Sequence, residues 1–446
     1  MSLEQRLDEA TRVALDNAWH QESAASSLER WLDLCEQGGW GRIPADQALL
    51  TQVFGASWYF TRFIFYRGPA IAPLFDTDLE RELQPDTIEH RVGLIDSTQA
   101  VEQALESLRV VKNEIMLQVL LADLQQLLSQ SAIEHRLTRL AQATLTMALQ
   151  IYSQGMASPE LKDHIGILGM GRMAGEEMNF GSDLDLIFLY PGDSPELFEQ
   201  ASRLIRSLLR GIAMAAPAGS LYEVDMRLRP HGAAGVLITS KRAFEDYHGD
   251  HREIWQRQLM TRSRAVVDGG GLATAALAAI NDHIYGHYDP DYLRAEIRAM
   301  RLRVEHELGS PAGRYELKRG RGGVMDIDFI SHYLQLRHGA EAPDLQTPST
   351  RLALLRLTEH DRLTTEHRDT LLQGYDFLKR MESRLRVFDM KAVSKIPREA
   401  SQLVILARGM GYGQDDGSAA GEALLQDYLT TTASIRAIFD EIVSES

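Results

Sequence analysis

The chain has 446 residues, 44% hydrophobic and 25% charged, the balance of a folded globular protein rather than a disordered one. A formal net charge of −16 repels phosphate backbones, so no nucleic-acid partner is expected. The single cysteine, Cys35, excludes an internal disulfide framework and fits a reducing compartment. Met1 to Asn17 is mixed and charged, unlike a signal peptide, and no apolar run reaches the roughly 18 residues that a membrane span needs. A cytoplasmic location without membrane contact is therefore expected.

In chain order, roughly the first 130 residues read as helices. Ser26-x-x-Glu29 has the form of a capping box, and Gly38-Gly39 closes the helix it opens, with Trp31, Leu34 and Cys35 on one face. Phe54 to Tyr66 is crowded with aromatic residues and reads as a helix packed in a core, with a partner surface as the alternative. Ile133, Leu137, Leu140, Ala141, Ala148, Ile151 and Tyr152 then repeat at helical spacing.

The pattern changes near residue 160. Ile165 to Leu168 and Asp185 to Tyr190 are short apolar runs that predict strands, and Ser194 to Ala216 predicts a long helix between strands. Leu221 to Arg229 (LYEVDMRLR) alternates apolar and charged residues, which predicts a strand with one buried face. Val236 to Thr239 predicts another strand. Helical spacing returns with Leu371, Tyr375, Leu378 and Leu385, and again from Leu424 to Val443, the two separated by a Gly- and Asp-rich loop at Gly411 to Ala419. The expected fold class is α+β and mostly helical. Its expected parts are an N-terminal helical domain (1–132), an α/β unit (133–270) and a C-terminal helical bundle (271–446).

Asp183 and Asp185 open an otherwise apolar strand, two residues apart and so on one side of it. Paired carboxylates repel unless a cation neutralises them, and their hard oxygens suit Mg²⁺, with Mn²⁺ the other candidate. Asp225 adds a third carboxylate if its strand lies alongside. Upstream, Gly169 and Gly171 end the preceding strand, 11 residues before Asp183, and Ser182 offers a hydroxyl. Glycines there let backbone N–H groups approach a phosphate. Arg227 and Arg229 share a predicted face with Asp225 and suit phosphate oxygens, surface pairing with Glu223 being the plainer reading. Glycine turn, spacing and aspartates together are similar to the DNA polymerase β-like nucleotidyltransferase fingerprint, which implies that fold for the central unit.

Other features are weighed beside these. Asp289-Pro290-Asp291 repeats the D-x-D form, but Pro290 makes it a turn into a helix. Lys318 to Gly323 (KRGRGG) precedes a helix starting near Val324 and reads as an anion site; a solvated loop and an RNA-binding segment are the alternatives. Asp326 and Asp328 follow, with Asp328 expected to orient the basic loop. The pairs His248/His251 and His283/His287 lack further ligands for zinc and read as helix-end histidines.

Four segments in order, Gly169 to Tyr190, Leu221 to Ser240, Glu316 to Gly339 and Tyr375 to Arg386, resemble the glutamine synthetase adenylyltransferase and adenylyl-removing family. The resemblance implies AMP transfer from ATP to a tyrosine of glutamine synthetase, or its phosphorolytic removal, with regulation by a PII-type signal protein. It implies catalysis and metal binding by Asp183, Asp185 and Asp225, the last on the nucleophile side. It implies nucleotide contacts from Gly169, Gly171, Arg172, Gly175, Ser182, Arg227, Arg229 and Lys318. Similar proteins carry two such modules in one chain, whereas this sequence has one, either stand-alone or half of a longer protein. Asn179-Phe180 and Asp225-Met226-Arg227 look like the removing half, Gly232 to Gly235 and Ser182 to Asp185 like the transferring half, so the direction stays open. The glycine loop departs from the family's glycine-lysine-leucine-glycine-glycine: Arg172 replaces lysine and Ala174 a glycine. Another acceptor, or a non-catalytic regulatory role, remains as an alternative.

Overall fold

The computed structural model describes residues 3–156, 158–192, 194–250, 253–308, 315–413 and 417–443. Its centre is a small mixed sheet: β1 (Gly166–Met170), β2 (Leu184–Tyr190), β3 (Val224–Asp225), β4 (Thr239–Ser240) and β5 (Ser263–Asp268). The order is β3-β2-β1-β5, with β4 also paired to β2. β1 runs antiparallel to β2 and β5, while β2 runs parallel to β3 at Leu184 and Asp185 and to β4 at Leu189 and Tyr190. Among the described residues the remaining regular structure is helical, apart from an isolated antiparallel bridge between Glu316 and Lys395.

Side-chain alternation sends the two faces of this sheet into two different cores. Ile167, Leu184, Leu186, Phe188 and Val266 pack with the N-terminal helices, including Gln130–Gln154. Leu168, Met170, Ile187 and Leu189 pack with the later helices, including Val324–His338 and Thr365–Val387. Both faces are covered, which is why β1 and β2 read as continuous apolar runs instead of alternating ones. The parity that sends Ile187 and Leu189 toward the later helices sends Asp185 the same way.

Several sequence expectations are corrected. The helix expected to open at Ser26 begins at Gln21, capped by His20, whose Nδ1 accepts the Ser23 N–H. Ser26 lies inside it, and Gly39 ends it in the left-handed region as expected. The aromatic stretch is two helices, Gln47–Ala56 and Trp58–Arg67, broken at Ser57. The Ser57 hydroxyl accepts the Phe60 N–H and donates to the Val387 carbonyl at 2.6 Å, tying the N-terminal helices to the end of the Thr365–Val387 helix. Phe54, Phe60 and Phe63 are buried, while Trp58 and Tyr66 are exposed.

Of the nine-residue strand expected at Leu221 to Arg229, two residues pair. The Asp225 carboxylate accepts the Arg227 N–H at 2.8 Å, and the Arg229 and Gly232 N–H groups turn back to Met226 and Arg229. An aspartate that bonds the backbone two residues on makes a turn, and here that overrides the alternation. The strand expected at Val236 to Thr239 begins instead at Thr239, with Val236 exposed. β5 was not foreseen. The turn at Asp289 is as expected: its carboxylate accepts the Tyr292 N–H as the helix Pro290–Leu308 begins.

Phe188 is buried at the middle of β2. Phe188→Ala is expected to cost about 3–5 kcal/mol of stability, seen as a lowered denaturant midpoint at an unchanged slope.

Candidate active site

The parallel pairing of β2 and β3 places Asp185 directly beside Asp225. Asp183 lies in the residue before β2. One carboxylate oxygen from each of the three can lie within 4.8 Å of the others, and all three residues are half-buried. Burial, then the charges of Asp183 and Asp225, push the Asp185 carboxyl up to about 6; Lys318 and Arg172 offset part of this. Asp225 is shifted the other way. The Arg227 side chain donates Nε to both of its oxygens, at 2.8 and 3.0 Å, and holds the carboxyl below its usual range.

The turn before β2 is built to deliver Asp183. Ser182 is buried, and its hydroxyl accepts the Asn179 N–H at 2.9 Å while the Asn179 carboxamide oxygen caps the Phe180 N–H. Gly181 has φ +59°, and a Cβ there would sit 2.7 Å from the Met390 carbonyl carbon. Only glycine combines that backbone with that close approach.

A cationic wall faces the carboxylates from the side of the later helices. Arg172 donates to Glu382 at 2.7 Å, and Arg386 donates to the same oxygen at 2.9 Å. The neighbouring Arg172 charge, then burial, lower the Lys318 ammonium to about 8, while Glu382 and Asp185 pull it back. Burial and Arg172 lower Arg386 to about 10, and Asp183 is among the charges that oppose the shift. Glu382 is fully buried; although burial disfavours its charge, Arg172, Arg386 and Lys379 hold its carboxyl down at about 2.

Other expected site residues sit elsewhere or do other work. Gly169 is a ladder residue of β1, and an added Cβ would lie 2.8 Å from Val266 and 3.0 Å from Met173. The Gly171 N–H donates to the Arg262 carbonyl at 2.9 Å, although the residue itself lies against the Asp185 carboxylate. Gly175 packs against Arg262 and Pro348. Arg229 donates to the carbonyls of Met226, Ala233 and Gly235, clasping its own loop, and Arg227 points to solvent except for its grip on Asp225.

The basic loop is oriented by Asp326 and not by Asp328. Asp326 is fully buried, accepts the Gly322 N–H at 2.7 Å and pairs with Arg301, which donates to the Gly320 carbonyl at 2.8 Å. Asp328 pairs instead with Arg262 at 2.9 Å and accepts from Thr350. Among the described residues the aspartate triad is the only group of three or more acidic, histidine or cysteine side chains close enough to hold a metal; His251 lies outside the described residues.

Sequence reasoning missed the stripe Tyr375, Lys379, Glu382 and Arg386. The Tyr375 hydroxyl donates to Glu177 at 2.8 Å, Lys379 donates to the Glu177 carbonyl at 2.9 Å, and the Lys379 carbonyl accepts from Asn179. Arg262 pairs with the same Glu177 oxygen that accepts from Tyr375. These four residues run along one face of the helix at steps of four, three and four. Polar residues at helical spacing interleaved with Leu371, Leu378 and Met381 were the available signal.

Two family models match successive parts of the chain. The family model for glutamate-ammonia ligase adenylyltransferase matches residues 47–279, which is more than half of the 446 residues and includes the whole triad. A second model, GlnD PII-uridylyltransferase, matches residues 292–443. Among curated relatives, each named bifunctional glutamine synthetase adenylyltransferase/adenylyl-removing enzyme, that of Chromobacterium violaceum is 32% identical over 296 residues, covering 66% of this chain and 33% of the relative. That of Nitrosomonas europaea is 30% identical over 317 residues, 71% of this chain and 33% of the relative. That of Alteromonas mediterranea is 29% identical over 368 residues, 79% and 37% respectively. The chain belongs to the glutamate-ammonia ligase adenylyltransferase family. It spans about a third of the length of the curated relatives it matches.

The raised Asp185 carboxyl has a consequence for stability. An acid at about 6 in the folded state and about 3.9 unfolded holds its proton longer when folded, so its presence costs stability as pH rises from about 4 to about 6 and above. Asp185→Asn is therefore expected to raise the melting temperature at pH 7.5 in chelator by about 1–3 °C and to leave it unchanged at pH 4. Saturating Mg²⁺ should narrow the gap at pH 7.5, because only the native acid gains from the cation. Calorimetry across pH, with and without Mg²⁺, checks all three points.

Proposed function

We propose that this chain is a metal-dependent nucleotidyltransferase that moves an adenylyl group between ATP and a tyrosine of glutamine synthetase. The observation that carries the reading is the convergence of Asp183, Asp185 and Asp225 next to Arg172, Lys318 and Arg386, in a chain of this family. We further propose that the sheet and its helices, residues 133–270, form a DNA polymerase β-like unit. The helical parts 1–132 and 271–446 flank it and dock the large partner.

Hard carboxylate oxygens in a half-buried site where charge already works against ionisation fit a divalent cation, Mg²⁺ or Mn²⁺. Such an ion would neutralise the phosphates and stabilise the departing pyrophosphate. The residues themselves supply position and charge. Arg172, Lys318 and Arg386 orient the phosphate oxygens and offset charge that develops between phosphorus and leaving group. The Ser182 hydroxyl already accepts from Asn179, which leaves its own proton to donate to a phosphate oxygen. Asp225, held ionised by Arg227, serves as a ligand better than as a base, since a carboxyl held below its usual range takes a proton poorly.

In the forward direction the tyrosine oxygen attacks the α-phosphorus of ATP, its proton is lost, and pyrophosphate leaves in line. In the removing direction inorganic phosphate attacks the phosphorus of AMP-tyrosine, the tyrosine oxygen leaves in line and regains its proton, and the phosphoanhydride formed is that of ADP. The same carboxylates serve both. A PII-type signal protein acting on the C-terminal helices is the proposed regulator, supported by the second family match over 292–443. The cytoplasm is the proposed location. No helix among the described residues is long and apolar enough to cross a membrane.

Two incubations with Mg²⁺ test the reading: unmodified glutamine synthetase with α-labelled ATP, and AMP-modified synthetase with phosphate. Label on the synthetase, or release of ADP, is the expected result. Asp183→Asn and Asp225→Asn should each lower the rate by at least about 10³-fold while the circular dichroism spectrum stays native. Activity that survives both substitutions would sink the carboxylate assignment.

A further inference from the structure

Beside Asp183, on the side away from the cationic wall, lies a cavity of about 410 Å³. Asp183 and Ser182 form one edge of it, while Tyr59, Lys112 and Met116 line it from the N-terminal helices and Tyr222 from the chain leading into β3. Arg172, Lys318 and Arg386 take no part in its lining. The surroundings of the triad are thus divided, with three cations toward the later helices and, toward the N-terminal ones, a hollow edged by Tyr59 and Tyr222 in which the carboxylates of Asp183, Glu223 and Asp389 outnumber the amines of Lys112 and Lys391.

Lys112 is the unusual member. It is 4% exposed, and its ammonium donates to the Ser220 carbonyl at 3.3 Å. It otherwise faces the rings of Tyr222 and Tyr59, at 5.1 and 6.0 Å from their centres. Among the described residues it makes no ion pair with a carboxylate. A buried amine with one carbonyl partner retains donors that a ligand's acceptors can satisfy.

We propose that this cavity is the adenosine subsite of the centre, taking the purine and ribose of a nucleotide whose phosphates lie against Asp183 and Ser182, with Lys112 donating to a ring nitrogen of the base. The inference rests on the nucleotidyl-transfer reading above and adds to it the place and partner of the base. Volume favours a nucleoside over the acceptor phenol: pockets of about 300–1,000 Å³ hold whole small molecules, and one tyrosine ring would leave most of this one empty. Lining favours the base over the phosphates, since aromatic edges suit a flat, nitrogen-rich ring and three carboxylates against two amines repel a polyphosphate. Burial, with Arg109 nearby, lowers Lys112 to about 7, and an amine so easily neutralised suits a purine nitrogen better than a polyphosphate. Asp183 and Ser182 at the edge put the α-phosphate of such a ligand at the triad.

The test separates base from phosphates. ATP and inorganic tripolyphosphate are titrated calorimetrically, with Mg²⁺, into the full chain and into two variants. Lys112→Met removes the donor, and Ala392→Trp, at an exposed lining position, fills the mouth without touching a core residue. Each variant is expected to bind ATP at least about tenfold more weakly and tripolyphosphate within about twofold of the unaltered chain. ATP binding that stays unchanged in the folded Ala392→Trp variant overturns the proposal. If the same variant raises only the KM for the protein acceptor, the cavity belongs to the tyrosine. If the unaltered chain binds neither ATP nor tripolyphosphate, the nucleotidyl-transfer reading fails and the subsite with it. Equal loss of both ligands in both variants would mean general disruption of the centre, and it too overturns a base-specific role.

Discussion

Three carboxylates within 4.8 Å of one another repel, and burial makes the repulsion worse, so their convergence requires a rigid frame that does not itself gain from it. The frame here is the pairing of β2 with β3. Two residues of parallel ladder are enough to fix Asp185 against Asp225, because β2 is paired with β1 from Leu186 to Leu189 and closed on both faces by separate cores. The strain of like charges is carried by apolar packing far larger than itself. Most of the remaining polar structure manages that local cost.

Glu382 shows how. A fully buried glutamate is expensive unless it is paired, and this one collects Arg172 and Arg386 with Lys379 nearby. Those cations then stand close enough to Asp183 and Asp185 to temper the triad without forming direct ion pairs with it. Glu382 thus lets positive groups gather at a place that must also receive a polyanion. The Thr365–Val387 helix that bears it is fixed at its C-terminal end by Ser57, so the N-terminal helices help to set the position of the cationic wall.

How much of this could be read from the sequence depended on range. The triad was legible because its signal is local: D-x-D in an apolar strand, a glycine turn before it and a lone strand-borne aspartate after it. The helices at 130–154, 195–213 and 365–387 were legible from periodicity. Leu221 to Arg229 misled because alternation describes a preference of side chains, whereas Asp225 bonding to the Arg227 N–H is a decision of the backbone. β5 was hidden because Ser263 to Asp268 carries polar groups at both ends and alternates weakly as an edge strand. The work of Glu382 and Lys379 was invisible because their partners lie about two hundred residues away, at Arg172, Glu177 and Asn179. For the same reason Asp326 and Asp328, two residues apart and alike in composition, could not be told apart until Arg301 and Arg262 were placed.

Arg227 grips Asp225 at the very oxygens a cation would use, yet its own side chain is 82% exposed. It behaves as a tethered counter-ion. A cation bound by the triad would replace one positive partner of Asp225 with another, and the displaced guanidinium would swing into water at little cost in packing. Loading the centre would then be a competition between two positive partners of one carboxylate. A weakly held monovalent ion would lose such a competition to a guanidinium with two good hydrogen bonds, and a hard divalent ion, with its larger charge and three aspartates in reach, would win it. Selection by charge is in this sense built into the resting site, by a residue that need never touch the substrate.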